Sequence, residues 1–322
     1  MKIVFVPPLS ANAEQWVTRL QKAYPDIEFV TPKDSVQARA ELALADAAYG
    51  TLTPELLANA GQLRWLQSPM AAPPPGFYFD ELIAHPADVT NFRGIYNDHI
   101  SYHILGLILS FTKHLHLYRD QQNTRTWRKL DGPEFNTIYP PEASVLIIGV
   151  GGIGLETARL SKAIGMRVIG VDARRTQPHE CLDELHPAET LIEHVDAADF
   201  VVATIPHTPA TAGLFDAQFF AAMKSSGIFI NIGRGPTTRL DDLNEALRSK
   251  AIAGAALDVY EIEPLPAEHP LWDAPNTILT PHAAVTGAAH LDERRYEIVH
   301  ANVGRFVAGE ALINVVDKAS WY

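Results

Sequence analysis

Short apolar runs alternate with stretches of helical periodicity from the first residues onward. Residues 2–6, 28–31, 47–49, 64–68 and 88–92 read as strands, and 14–24, 36–44 and 54–63 carry the 3.6-residue spacing of helices. Strands separated by helical stretches imply parallel α/β layers. From Asp98 the pattern changes. Ile100, Ile104, Leu107, Ile108, Phe111, Leu115 and Tyr118 recur at helical spacing, which predicts one long helix over 98–118. A polar stretch with Trp127 follows, and then a second series opens. Its strands are expected at 145–148, 167–172, 200–204, 228–231, 255–258 and 277–280, joined by helices, with a closing helix near 288–309.

At 322 residues the chain has room for two domains of about 150 residues each. Apolar residues make up 47% and charged residues 20%, which excludes intrinsic disorder, collagen and a coiled coil. Cys181 is the single cysteine, so neither an intramolecular disulfide nor a cysteine-built metal cluster is available, and no metal is expected. A net charge of −12 argues against nucleic acid or an anionic membrane as partner. The longest apolar stretch, 104–111, falls far short of the roughly twenty residues of a membrane span. The opening apolar run, ended by Pro7-Pro8, is too short for a signal peptide. A cytoplasmic protein is expected, either an enzyme or a binding protein.

The strand at 145–148 runs directly into Gly149-Val150-Gly151-Gly152-Ile153-Gly154, and a helical stretch follows. In such a loop the first glycine permits the tight turn, the second lets a pyrophosphate approach the backbone, and the third lets helix and strand pack closely. Exposed N–H groups and the helix dipole then hold the phosphate charge. The next strand ends in Asp172, where a carboxylate would accept both ribose hydroxyls of NAD and repel the 2′-phosphate of NADP. NAD is therefore the expected cofactor, NADP the less favoured one. Arg174 and Arg175 just beyond read either as a solvated basic loop or as a grip for that phosphate.

Several later segments carry a resemblance. They are Thr204-Ile-Pro-His-Thr-Pro-Ala-Thr211, Ile230-Asn-Ile-Gly-Arg-Gly235, Ala256-Leu-Asp-Val-Tyr-Glu-Ile-Glu-Pro264 and Leu279-Thr-Pro-His282. With the glycine loop they make the chain resemble the D-isomer-specific 2-hydroxyacid dehydrogenases, strongly from about residue 90 to 286 and thinly before 85. The resemblance implies a Rossmann-type NAD-binding domain, 99–284, inserted into a flavodoxin-like substrate domain made of 1–98 and 285–322. It also implies a homodimer. Arg234, Glu263 and His282 would be catalytic, with Arg234 and His282 also touching substrate. Gly149, Gly151, Gly152, Ile153, Gly154, Asp172, Pro206, Ile232, Gly233, Arg234 and Asp258 would line the cofactor. The substrate carboxylate would meet backbone N–H groups of Met70, Ala71 and Ala72, since the prolines at 73–75 have none to give.

The implied reaction moves a hydride between NAD(H) and a small 2-keto acid or D-2-hydroxy acid. Reduction builds negative charge on the carbonyl oxygen, and a histidine can deliver the proton near neutrality. A carboxylate beside it would favour the imidazolium; Glu263, just before Pro264, fits that part better than its rival Glu261. An arginine offers a planar fork for a carboxylate and a carbonyl together. Phe77, Tyr78 and Phe79 either face the substrate or pack beneath it, and the pocket is expected to be more apolar than one built for glyoxylate. The competing reading is an NAD-sensing, corepressor-like binding protein of the same fold, for which Arg234, Glu263 and His282 together would be superfluous.

Overall fold

Alternating buried strands and capped helices build a first α/β layer from the N-terminus. A computed structural model describes residues 1–71, 73–74, 76–132, 135, 138–288 and 290–319. Its opening elements are β1 (Lys2–Phe5), α1 (Ala11–Ala23), β2 (Glu28–Val30), α2 (Ser35–Leu42), β3 (Ala47–Tyr49), α3 (Pro54–Leu57), β4 (Trp65–Gln67), α4 (Asp80–Ala84) and β5 (Asp88–Thr90). Ser10, Asp34 and Thr53 start α1, α2 and α3 by accepting an N–H three residues on, as N-cap side chains do. The strands pair in parallel in the order β2-β1-β3-β4-β5, the flavodoxin-like arrangement.

The second series begins with α5 (Asn97–Thr112) and α6 (Leu115–Asn123), followed by β6 (Ser144–Ile148), α7 (Gly152–Ala163), β7 (Arg167–Asp172) and β8 (Glu184–Pro187). After these come β9 (Phe200–Ala203), α8 (Ala217–Ala222), β10 (Ile228–Asn231), α9 (Leu240–Arg248), β11 (Gly254–Leu257) and β12 (Thr277–Leu279). These strands form a parallel sheet ordered β12-β11-β10-β9-β6-β7-β8, a doubly wound Rossmann sheet. Every residue of β6, β9, β10 and β11 is buried, as strands covered on both faces must be. A last helix, α10 (Leu291–Ala308), returns to the first layer, where its Asp292 accepts from the Trp16 indole. The chain divides into two compact units, Met1–Ile95 with Ala289–Tyr322, and Tyr96–Ala288.

Two expectations need correction. The long helix predicted over 98–118 is broken after Thr112, where His114 takes a left-handed backbone (φ 52°). Leu115 and Tyr118 continue the apolar spacing, yet both are exposed and α6 buries nothing, so the spacing there has no packing behind it. Between Asp172 and Phe200 a helix was expected; a strand, β8, and short 3₁₀ turns occupy that span. β8 is the edge of its sheet, half-exposed and ended by Pro187, and an edge strand leaves a weak apolar signal.

One face of the Rossmann sheet rests on an aromatic cluster. Phe229 on β10 is fully buried, with ring centroids of Phe215, Phe219 and Phe220 at 5.1, 6.0 and 5.3 Å. Edge-to-face rings at this spacing add to the area they bury. Phe229→Ala is expected to cost about 3–5 kcal/mol of unfolding free energy, read as a lowered denaturant midpoint.

Candidate active site

The loop between β6 and α7 has the stereochemistry that its glycines imply. Gly149 sits at φ 91°, which a side chain rarely tolerates. A Cβ on Gly154 would lie 2.1 Å from the Gly149 carbonyl oxygen, so only glycine lets α7 approach this closely. A Cβ on Gly151 would meet nothing within 4 Å, leaving open space in front of the α7 N-terminus. The Thr204 hydroxyl, just past β9, ties the loop from the other side, donating to the Gly149 carbonyl at 2.5 Å. Gly152 carries the Asn97 amide of α5 against its backbone, and Ile153 accepts through its carbonyl from Ser101.

Asp172 ends β7 with its carboxylate already organised by backbone. Oδ2 accepts from Val150 N–H at 2.7 Å, and Oδ1 accepts from the N–H groups of Arg174 and Arg175, both at 2.8 Å. Arg175 is not a loosely solvated side chain: its Nε donates to the Val150 carbonyl at 3.1 Å and lies along the glycine loop. The sequence leaves both arginines between a solvated loop and a phosphate grip and gives no sign of this brace, because the bond spans 25 positions. Pro206 opens the loop after β9, where its carbonyl accepts from Thr211 Oγ1 at 2.7 Å.

At the carboxyl end of β10 the segment Ile232-Gly233-Arg234 is held rigidly. Asn231 Oδ1 accepts from Gly233 N–H, while its amide nitrogen donates to Thr237 and Thr238 hydroxyls and to the Arg234 carbonyl. Ile232 is buried; Arg234 is half-buried, and its Nη1 donates to the Gly233 carbonyl at 2.6 Å. Burial pulls the Arg234 guanidinium below the ordinary arginine pKa, and the charge of Glu263 opposes that shift. A partly desolvated cation of this kind gains from an anionic ligand.

The neighbouring strand ends bring together the acid and the histidine. His282 follows β12 with φ 51°, and its Nδ1 lies 2.8 Å from Glu263 Oε2. Glu263 is fixed in turn, since Oε1 accepts from Tyr260 N–H at 3.0 Å. Its rival Glu261 accepts instead from Leu240 N–H at the start of α9. Asp258, buried after β11, accepts from the Thr280 hydroxyl (2.6 Å) and from the N–H groups of Ala283 (2.7 Å) and Ala284 (3.1 Å). The His103 ring of α5 adds to this group, with Nε2 at 3.2 Å from Thr280 Oγ1. Neither His103 nor Thr280 was read as functional from sequence: they are 177 positions apart, and His103 looks like one polar break in an apolar helix.

In the first unit, the segment after β4 is less open than expected. The Met70 N–H is turned to Ser68 Oγ at 3.2 Å, and Ala72 lies outside the described residues, which leaves Ala71 as the described donor of the three. Phe77 and Tyr78 are buried in the core cluster of that unit, with Phe79 packed against it. Desolvation there pushes the Tyr78 hydroxyl up to about 12. The aromatic trio packs as core. Trp127 and Tyr102 are exposed. Among the described residues no cluster of histidine, cysteine and acid side chains could hold a metal ion, and no helix is long and apolar enough to cross a membrane.

Comparison with known proteins places this geometry. Residues 105–284, more than half of the chain, match the family profile described as D-isomer specific 2-hydroxyacid dehydrogenase, NAD binding domain. The glyoxylate/hydroxypyruvate reductase A of Serratia proteamaculans is 28% identical over 334 aligned positions that cover 100% of both chains. Among solved structures, a D-isomer specific 2-hydroxyacid dehydrogenase family protein from Aeromonas salmonicida is 30% identical, with TM-score 0.78 over 98% of this chain and 99% of that one. An NADPH-dependent glyoxylate/hydroxypyruvate reductase from Sinorhizobium meliloti, solved with NADP and sulfate, is 28% identical with TM-score 0.78, covering 100% and 99%. With one NAD(P)-binding Rossmann sheet and one flavodoxin-like sheet, the chain belongs to the D-isomer-specific 2-hydroxyacid dehydrogenase family of oxidoreductases.

Proposed function

We propose that the protein reduces a short 2-keto acid to the D-2-hydroxy acid at the expense of NADH, with His282 as acid/base, Glu263 as its partner and Arg234 as substrate clamp. The observation that carries this reading is the 2.8 Å contact of His282 Nδ1 with Glu263, which leaves Nε2 as the ring atom available to a substrate oxygen. Tyr96–Ala288 is read as the dinucleotide-binding domain, and the discontinuous remainder as the substrate domain. The glycine loop fits a pyrophosphate, because the space before Gly151 is open and the first N–H groups of α7 point into it. Gly149, Gly151, Gly152, Ile153 and Gly154 would hold that group; Asp172 would take the ribose, and Pro206, Ile232, Gly233 and Asp258 would line the remainder. A bound nicotinamide supplies the hydride. Arg234 would orient the keto acid and stabilise charge on its oxygen.

Glyoxylate and hydroxypyruvate are the leading substrates, in keeping with the relatives' names and with the packing of Phe77 and Tyr78 into the core. The test is NADH and NADPH consumption with a panel of 2-keto acids. Bulky apolar keto acids outperforming glyoxylate and hydroxypyruvate would overturn the substrate assignment. A purified protein that binds NADH yet reduces none of them would favour the sensor reading. The homodimer belongs to the same proposal, and light scattering on the eluting protein checks it.

The choice of NADH rests on the Asp172 carboxylate at the end of β7; Arg175 beside it and the NADP complex of the Sinorhizobium enzyme favour NADPH as the alternative. Asp172→Ala is expected to move the ratio of kcat/KM for NADH over NADPH by on the order of tenfold toward NADPH. An unchanged ratio removes the ribose role of Asp172.

A further inference from the structure

We propose that His103, on α5, is a positioning residue for His282, acting through Thr280 and Asp258; this rests on the acid/base reading of His282. The direction of the hydrogen bonds makes the case. A carboxylate only accepts, so at 2.6 Å from Asp258 Oδ1 the Thr280 hydroxyl must donate its single proton there. What remains on Thr280 Oγ1 is acceptor capacity, and the His103 Nε2 at 3.2 Å faces it. His103 therefore carries a proton on Nε2 and donates to Thr280. The chain of donors runs from His103 to Thr280 to Asp258, and Asp258 collects the N–H groups of Ala283 and Ala284 at 2.7 and 3.1 Å.

Those two N–H groups belong to the residues that follow His282, whose backbone is left-handed at φ 51°. A non-glycine residue in that region is strained and persists when its surroundings hold it. The turn is gripped on both sides. Thr280 precedes Pro281-His282, and its carbonyl accepts from the Tyr260 hydroxyl at 2.9 Å and from His282 N–H at 3.0 Å. Asp258, 1% exposed, takes the far side, and His103 Nε2 lies 3.9 Å from its Oδ1, so the ring orients both members of the brace. A buried polar network rigidifies when each member is satisfied, and loses its grip when one donor is removed. His103 hydrogen-bonds Thr280 rather than the His282 ring or Glu263; its part is to keep the turn in the one conformation that sets His282 against Glu263.

The test compares His103→Leu, which removes the donor, with His103→Gln, whose amide nitrogen reaches to a similar distance. Two readouts are taken on the full chain: hydrogen exchange of the Ala283 and Ala284 amides without cofactor, and steady-state reduction of glyoxylate. In His103→Leu both amides are expected to exchange faster, and kcat to fall on the order of ten- to a hundredfold. The KM for NADH should stay within about twofold. His103→Gln should recover most of both effects. Unchanged exchange, an unchanged kcat, or a glutamine variant as impaired as the leucine one each overturn the proposal. Should the wild-type chain reduce no keto acid, the function reading fails by itself, and the exchange comparison still decides whether His103 braces the turn.

Discussion

Alanine at position 282 is expected to lower kcat for keto-acid reduction by on the order of 10²–10⁴, while NADH binding, titrated by its fluorescence, stays unchanged. The direction follows from what the ring alone can do. Its Nδ1 is engaged by Glu263, so in the proposed reaction Nε2 would deliver the proton to the developing alkoxide. No other histidine ring hydrogen-bonds Glu263 among the described residues. Glu263→Gln keeps an acceptor for Nδ1 but removes the charge, and a smaller loss is expected. A His282→Ala enzyme that retains reduction within about tenfold of wild type would falsify the acid/base assignment.

What the sequence made legible follows from how local each signal is. The glycine loop, the strand before it and Asp172 lie within about thirty residues and obey one stereochemical rule, so fold and cofactor class could be read together. Glu263 could be separated from Glu261 by its place before Pro264, and the structure puts the two acids to different uses, one against His282 and one against Leu240 N–H. The break at His114 was hidden because an apolar spacing says nothing about whether packing exists to reward it. β8 was hidden because an edge strand has only one neighbour, and Glu184-Leu-His-Pro187 carries too little apolar character to announce itself. The Ser68 bond to Met70 and the burial of Phe77 and Tyr78 depend on how the segment after β4 folds back, which the proline run obscures. His103 shows the limit most clearly. Its role depends on a hydroxyl at the far end of the Rossmann sheet, and no spacing rule connects the two.

Arg234→Lys is expected to lower kcat/KM for the keto acid by on the order of 10²–10³, with kcat and KM both affected and the unfolding temperature nearly unchanged. Lysine keeps the charge, so the loss isolates the fork: one ammonium cannot hold a carboxylate and a carbonyl oxygen in the two-point geometry that a guanidinium offers. A purely structural arginine would give the opposite pattern. The part of Arg234 that holds the fold is its backbone carbonyl, which accepts from Asn231 Nδ2 at 3.3 Å and from Thr237 Oγ1 at 2.6 Å, and both bonds survive any side-chain change. The side chain itself donates to the adjacent Gly233 carbonyl, a contact that anchors no other element. Its burial is therefore a desolvation cost that the folded chain leaves only partly offset by Glu263, and in the proposed reaction the charge of a 2-keto acid would complete it. If Arg234→Lys instead lowers the unfolding temperature while turnover per folded molecule holds, the guanidinium supports the sheet end and the substrate is gripped elsewhere.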